Sequence, residues 1–179
     1  MFGDFMGILS GMLIAAGVGF FGKKKLSADN KKIIETERFK MTVYVIIIIR
    51  KENKILLMKR SQSVINGGLY AFPGGGVDGS ETLMHAIIRE SKEELGIVLT
   101  EESVHFVHTM HVKTEKNGEY IGFYFETSTY DGNPSIMEAD KCDELGWFDP
   151  HALPQPMINT HVHALNMIDQ KIVFSEFGW

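Results

Sequence analysis

GGVDGSETLMHAIIRESKEELGI, residues 75–97, is the stretch on which the reading of the whole chain turns. Glycines lead into an apolar-periodic segment that Gly96 closes, which predicts a helix over Glu81–Leu95 with a glycine stop. At about 100° per residue the turns sort the side chains into stripes. Met84, Ile87, Ile88, Ser91 and Leu95 share a face fit to pack on a sheet. His85, Arg89 and Lys92 lie roughly opposite, and Glu90, Glu93 and Glu94 occupy the remaining edge. Three carboxylates at i, i+3 and i+4 repel one another by a few tenths of a kcal/mol per pair, about the scale of a helix ion pair with its sign reversed. Burial beside the apolar face raises that penalty, whereas a cation among them removes it. Hard oxygen donors select Mg²⁺, Mn²⁺ or Ca²⁺ over zinc. Upstream, Pro73-Gly74-Gly75-Gly76 lets backbone approach a ligand without intervening side chains and aims N–H groups at anions.

Outward from this helix, an α/β domain is expected over residues 41–179. Val43–Ile49 is an apolar, β-branched run read as a buried strand, joined through Lys51-Glu52-Asn53-Lys54 to a second strand at Ile55–Lys59. Ser61–Gly68 reads as a polar loop. Further strands are expected near Val104–Lys113, Tyr120–Thr129 and Gly146–Phe148, and a last helix over His161–Gln170.

The N-terminal segment has a different character. Phe5–Phe21 contains no charged residue and ends against Lys23-Lys24-Lys25. Gly3, Gly7, Gly11, Ala15 and Gly19 recur every fourth position, a spacing that lets helices approach closely in lipid and makes a homodimer a candidate state. A span over residues 5–21 would leave the following domain in the cytoplasm. The alternatives are an extension that does not enter lipid, or a start at Met41. Residues 1–25 are thus a candidate membrane anchor preceding the domain as an apolar helix, and residues 26–40 a polar linker.

Composition narrows the function. The 44% apolar and 23% charged shares are those of a folded domain. A net charge of −5 argues against a nucleic-acid polymer as partner, since phosphate backbones call for clustered Lys and Arg. A small phosphorylated ligand stays compatible when a divalent cation supplies the positive charge. Cys142 is the one cysteine, which excludes an internal disulfide and fits a reducing compartment such as the cytoplasm. His161 and His163 stand at i, i+2, a spacing wrong for one helix face, and are assigned no metal.

Gly75, Glu81, Arg89, Glu90, Glu93, Glu94, Gly96 and Ile97 together resemble the Nudix box at every spacing, with Ser91 standing where that family usually has an aliphatic residue. The resemblance runs from about Met41 to the C-terminus and is strongest to the MutT-type nucleoside triphosphate pyrophosphohydrolases. It implies a Nudix-type α/β/α sandwich with a mixed sheet. It also implies a Mg²⁺-dependent hydrolase, Mn²⁺ substituting, that splits a pyrophosphate bond, with nucleoside triphosphates, oxidised purine ones among them, as the first substrates to consider. Nucleotide sugars, dinucleotide polyphosphates and isoprenoid diphosphates are alternatives, and a nucleotide-sensing module without turnover is an alternative of another class. Carried over by position, Glu90, Glu93 and Glu94 are metal ligands, joined by the Gly74 carbonyl. Arg89 orients Glu93 and Glu81, and Glu90 is the first choice of general base with Glu138 as the candidate outside the box. For the substrate, Phe72, Gly75 and Gly76 are expected to line its pocket, Trp147 and Phe148 to stack on a base, and Asp140 (with Asp143 and Glu144) to accept hydrogen bonds from it.

Overall fold

The computed structural model describes residues 39–179. The expected apolar helix, the expected membrane anchor over residues 5–21 with its dimer face, and nearly all of the expected linker lie outside the described residues. Among the described residues no helix is long and apolar enough to cross a membrane.

Strand β1 (Thr42–Lys51) is the centre of the domain. Val45–Ile49 is buried without a break, each side chain contributing roughly 1.5–3 kcal/mol by its removal from water. Continuous burial arises because both faces of β1 are covered. Ile46 and Ile48 pack with Ile55, Leu57, Met110, Val112 and Leu165. Val45, Ile47 and Ile49 pack with Leu56, Ala86, Ile87 and Leu95. The two-residue alternation of a strand thus feeds two separate cores.

A hairpin joins β1 to β2 (Lys54–Arg60), with Lys51 opposite Lys54 and Glu52 in a left-handed conformation at the turn. Two short strands follow, β3 (Tyr70–Ala71) and β4 (Gly74–Gly76). Helix α1 spans Leu83–Leu95. A single 3₁₀ turn at Glu101–Ser103 precedes β5 (His105–Thr114) and β6 (Gly118–Thr127). The chain continues through β7 (Cys142–Phe148), α2 (Asn159–Asp169) and β8 (Phe174–Phe177). The sheet runs β3-β2-β1-β6-β5-β8, with β4 added to β1 and β7 to β2. It is mixed: β1 lies parallel to β6, β5 parallel to β8, and the other pairs are antiparallel. α1 covers one face through Ala86, Ile87 and Leu95, and α2 covers the other through Ala164 and Leu165. The expected α/β/α layering with a mixed sheet is the architecture found.

α1 starts at Leu83, two residues later than the sequence suggests. The Thr82 side chain accepts a hydrogen bond from the His85 amide at 3.1 Å and caps the helix. Gly96 closes it in the left-handed conformation, φ 70°, with its amide on the Lys92 carbonyl at 3.0 Å. Ser91, the departure from the family pattern, is fully buried and donates from Oγ to the Ile87 carbonyl at 2.7 Å. Its hydroxyl is therefore satisfied within the helix and asks nothing of the sheet. Ser91→Ala should leave the fold intact and raise stability by up to about 1 kcal/mol, because alanine is the better helix former and leaves no buried polar group. Urea unfolding of both proteins checks this, and a clear loss of stability would show that the hydroxyl matters to the packing.

Candidate functional site

Antiparallel pairing aligns Gly74, Gly75 and Gly76 with Ile46, Val45 and Tyr44, so the glycine run is a strand and not a loose loop. α1 lies across it. At Gly75 a Cβ would overlap the Glu90 carboxylate, so a larger residue there would displace that side chain from the strand. The Gly74 amide donates to Glu94 Oε2 at 2.8 Å, fixing a side chain that is 8% exposed.

Arg89 organises the rest of the acidic edge. Its guanidinium grips Glu81 with two bonds, Nη2 to Oε1 at 2.7 Å and Nε to Oε2 at 3.2 Å. Nη1 donates to Glu90 Oε1 at 2.7 Å and Glu93 Oε2 at 3.0 Å, and Nη2 also reaches the Gly76 carbonyl at 3.1 Å. Glu81 in turn accepts from the Asp78 amide at 2.7 Å. The expected link from Arg89 to Glu81 and Glu93 is present in this geometry, and Glu90 and the glycine strand join it.

The charges answer to this arrangement. Hydrogen bonding to Arg89 holds the Glu81 carboxyl below the usual range, and the same carboxylates raise Arg89. Burial pushes Glu90 upward against the pull of Arg89. Burial also pushes Glu94 up to about 7, opposed chiefly by the Gly74 amide.

Beside these groups opens a cavity of about 320 Å³ whose walls include Gly74, Gly75, Gly76, Glu90, Glu94 and Glu138. The size suits a nucleotide-scale ligand. Glu138 is held by Lys141, Nζ to Oε1 at 2.7 Å. Phe72 also lines the cavity. Glu93 is half exposed, drawn to Arg89, and is not part of the wall. Among the described residues no three acidic or imidazole side chains converge as a ready cation cage. The three carboxylates do not meet at one point in this structure: Arg89 takes Glu90 and Glu93 to its own side, and the Gly74 amide holds Glu94. The donor set still fits a hard divalent ion. Glu90 and Glu94 are wall-lining carboxylates, each with one oxygen uncommitted among the described residues, and Glu138 lines the same cavity.

The base-stacking expectation is corrected as well. Trp147 and Phe148 are adjacent on β7 and so face opposite sides of the sheet. Trp147 packs with the α1-side core under Lys51, 6.0 Å from its ring centre, and Phe148 packs with the α2-side core, edge-on to Tyr70 at 5.3 Å. Neither lines the cavity. Asp140 and Asp143 are exposed, and Glu144 accepts from the Tyr70 hydroxyl at 2.8 Å. The aromatic walls come instead from Tyr44, Phe72, Tyr120 and Tyr124.

Three tyrosines, Arg60 and His161 are cavity residues that the sequence reading passed over. Their signal was period-two spacing: Tyr120 and Tyr124 flank Gly122, which pairs with Tyr44, and Arg60 follows Met58 by two. Opposite β7 the pairing register shifts by one residue at Arg60. Its Nε donates to the Ile65 carbonyl at 2.9 Å, and it forms no ion pair among the described residues.

With this geometry in view, the comparisons with known proteins are direct. The NUDIX domain model matches residues 38–168. An ADP-ribose pyrophosphatase of Methanocaldococcus jannaschii is 30% identical over 154 residues, covering 82% of this chain and 85% of that protein. A CTP pyrophosphohydrolase of Escherichia coli is 43% identical over 61 residues, 34% of this chain and 45% of its own length. Among solved structures, a MutT NUDIX hydrolase from Burkholderia pseudomallei superposes with a TM-score of 0.66 at 29% identity, covering 72% of this chain and 98% of that one. The chain belongs to the Nudix family of hydrolases.

His161 supplies a pH dependence. Burial lowers its pKa from the ordinary 6.5 to about 3, so the folded protein binds this proton less readily than the unfolded chain. The neutral ring's contribution is complete above pH 6.5 and is lost as pH falls from 6.5 toward 3. The loss should amount to about 3 kcal/mol or more, at 1.36 kcal/mol per pKa unit. Urea denaturation from pH 7 to 4 should show a steeper fall for the natural protein than for His161→Asn, and equal slopes would contradict the assignment.

Proposed function

We propose that this protein is a Mg²⁺-dependent hydrolase, with Mn²⁺ as substitute, that splits the diphosphate bridge of a nucleoside diphosphate derivative of the ADP-ribose type. The observation that carries this reading is the acidic end of the cavity, where Glu90 and Glu94 stand behind a backbone strand made only of glycine. The ADP-ribose pyrophosphatase relative spans most of both chains, which puts a diphosphate-linked ribose first. A second reading, a nucleoside triphosphate pyrophosphohydrolase, is favoured by the MutT NUDIX hydrolase likeness and by the short CTP pyrophosphohydrolase match.

Glu90 and Glu94 would hold the metal, with Glu93, the Gly74 carbonyl and Glu138 as further ligands. The chemistry Mg²⁺ supplies when bound is neutralisation of diphosphate oxygens and acidification of a water. Arg89 is a positioning residue in this scheme: it keeps Glu81, Glu90 and Glu93 in fixed rotamers and offsets their mutual repulsion. Glu90 would take the proton from the attacking water, and Glu138 on the same wall is the candidate base outside the box. Arg60 and Lys141 add positive charge to a cavity whose substrate is an anion. Gly75 and Gly76 admit the diphosphate to the backbone, and Phe72 and the tyrosines flank the nucleoside.

Glu94→Gln keeps a hydrogen-bond acceptor for the Gly74 amide, so the fold should persist while turnover drops at least about a hundredfold, or 2.7 kcal/mol of barrier. Retention of more than a tenth of the activity would remove Glu94 from the metal set. EDTA should abolish turnover and Mg²⁺ restore it. Chromatography of the products from ADP-ribose, nucleotide sugars, dinucleotide polyphosphates, and ordinary and oxidised triphosphates decides the substrate class: AMP with ribose 5-phosphate marks the first, a nucleoside monophosphate with pyrophosphate the last. Activity on none of them, with Mg²⁺ or Mn²⁺ present, would overturn the hydrolytic reading.

A further inference from the structure

One cavity group has no part in the hydrolytic scheme. His161 stands in the first turn of α2, and its Nδ1 receives the Phe72 amide N–H at 3.0 Å. A backbone amide can only donate, so Nδ1 carries the lone pair and the ring proton resides on Nε2. Phe72 stacks on the imidazole, centroids 5.5 Å apart and planes at 17°, while Tyr124 meets it edge-on at 6.0 Å. Tautomer and ring plane are thus both set by neighbours. Burial keeps the ring neutral, its pKa near 3.

Nε2–H has no hydrogen-bond partner among the described residues, yet it is not sealed away. The buried side-chain nitrogen without a partner is Nε2 of His163, not of His161. An uncommitted donor on a residue that lines the cavity faces whatever the cavity holds. Its place is also informative. Phe72 lies two residues, roughly 7 Å along an extended chain, from Gly74, whose amide anchors Glu94. The donor is therefore a short step from the acidic end, among the rings of Tyr120, Tyr124 and Phe72. An uncharged donor between aromatic walls is suited to a flat, neutral acceptor and poorly suited to a phosphate.

We propose that His161 is a specificity-determining residue whose Nε2–H donates to an acceptor atom on the nucleobase of the substrate. This rests on the reading of the substrate as a nucleotide. A donor of fixed tautomer admits a carbonyl oxygen or ring nitrogen and rejects an amino group at the same position, so the site discriminates among bases. The seven histidines gave no pattern that singled this one out, because its partner is a main-chain amide 89 residues away.

His161→Asn tests the assignment, since the asparagine carbonyl can still accept from Phe72 while the Nε2–H is gone; thermal denaturation verifies that the variant folds. The kcat/KM preference for ADP-ribose over ribose 5-diphosphate, which lacks the adenosine, should narrow at least tenfold, mainly through KM. In parallel, the full-length natural protein labelled with ¹⁵N-histidine is titrated in EDTA with AMP, GMP, CMP and ribose 5-phosphate. The Nε2–H resonance of His161 should move with one or more of the nucleotides and stay in place with ribose 5-phosphate. A preference that does not narrow, or a resonance indifferent to every nucleotide or equally responsive to ribose 5-phosphate, overturns the proposal. If the natural protein hydrolyses no nucleotide but the resonance responds to the base, the hydrolytic reading fails and the recognition by His161 stands.

Discussion

A single guanidinium makes the acidic edge of α1 compatible with folding. Four carboxylates, from Glu81, Glu90, Glu93 and the more distant Asp78, lie within ion-pair reach of Arg89. Without a cation between them, helix neighbours of like charge would splay into solvent and the helix would lose its approach to the glycine strand. Arg89 meets this constraint with a planar fork that grips Glu81 twice and still reaches the Gly76 carbonyl. A lysine has neither the fork nor the reach to several partners at once. Helix, glycine strand and Glu81 loop are thereby locked together, and the exposed Glu93 is held as well as the half-buried Glu90.

Glu94 is handled differently. It receives no arginine, only one backbone amide, and burial leaves its carboxyl poised near neutrality. Residues of the same type thus end on different partners: Glu81 and Glu93 are bound to permanent charge, whereas Glu94 is bound to a dipole. That division separates groups that hold the scaffold from groups with capacity left for a ligand.

How far the sequence could be read follows from the kind of signal each element carries. α1 was legible because a periodic apolar face and a terminal glycine coincide, at Ile87 and Gly96; the Thr82 cap went unread, so the start moves two residues to Leu83, and Glu81 serves Arg89 and the Asp78 amide instead of the helix. β1 was legible as five consecutive buried positions. β4 was not, since three glycines have no alternation and the strand exists only through main-chain pairing with β1. β3 is two residues long and β8 is held by side chains remote in sequence, His108 bridging Ile172 and Ser175. Within the site, the box residues were found by spacing along one helix, whereas the cavity's other walls come from β1, β2, β6 and α2, whose alignment is tertiary. Trp147 and Phe148 mislead for an elementary reason: neighbours on a strand cannot share a face.

The hydrogen bond from Phe72 to His161 has an evolutionary consequence. It is a side-chain contact by which the C-terminal helix is fastened to the main chain next to the glycine strand. The glycine strand, Arg89 and the carboxylates of α1 belong to one contiguous stretch of polypeptide, while α2 on the cavity wall arrives much later in the chain. Descendants of such a molecule can exchange that late portion while inheriting the glycine strand and its acidic helix unaltered, provided the replacement brings an acceptor for one amide.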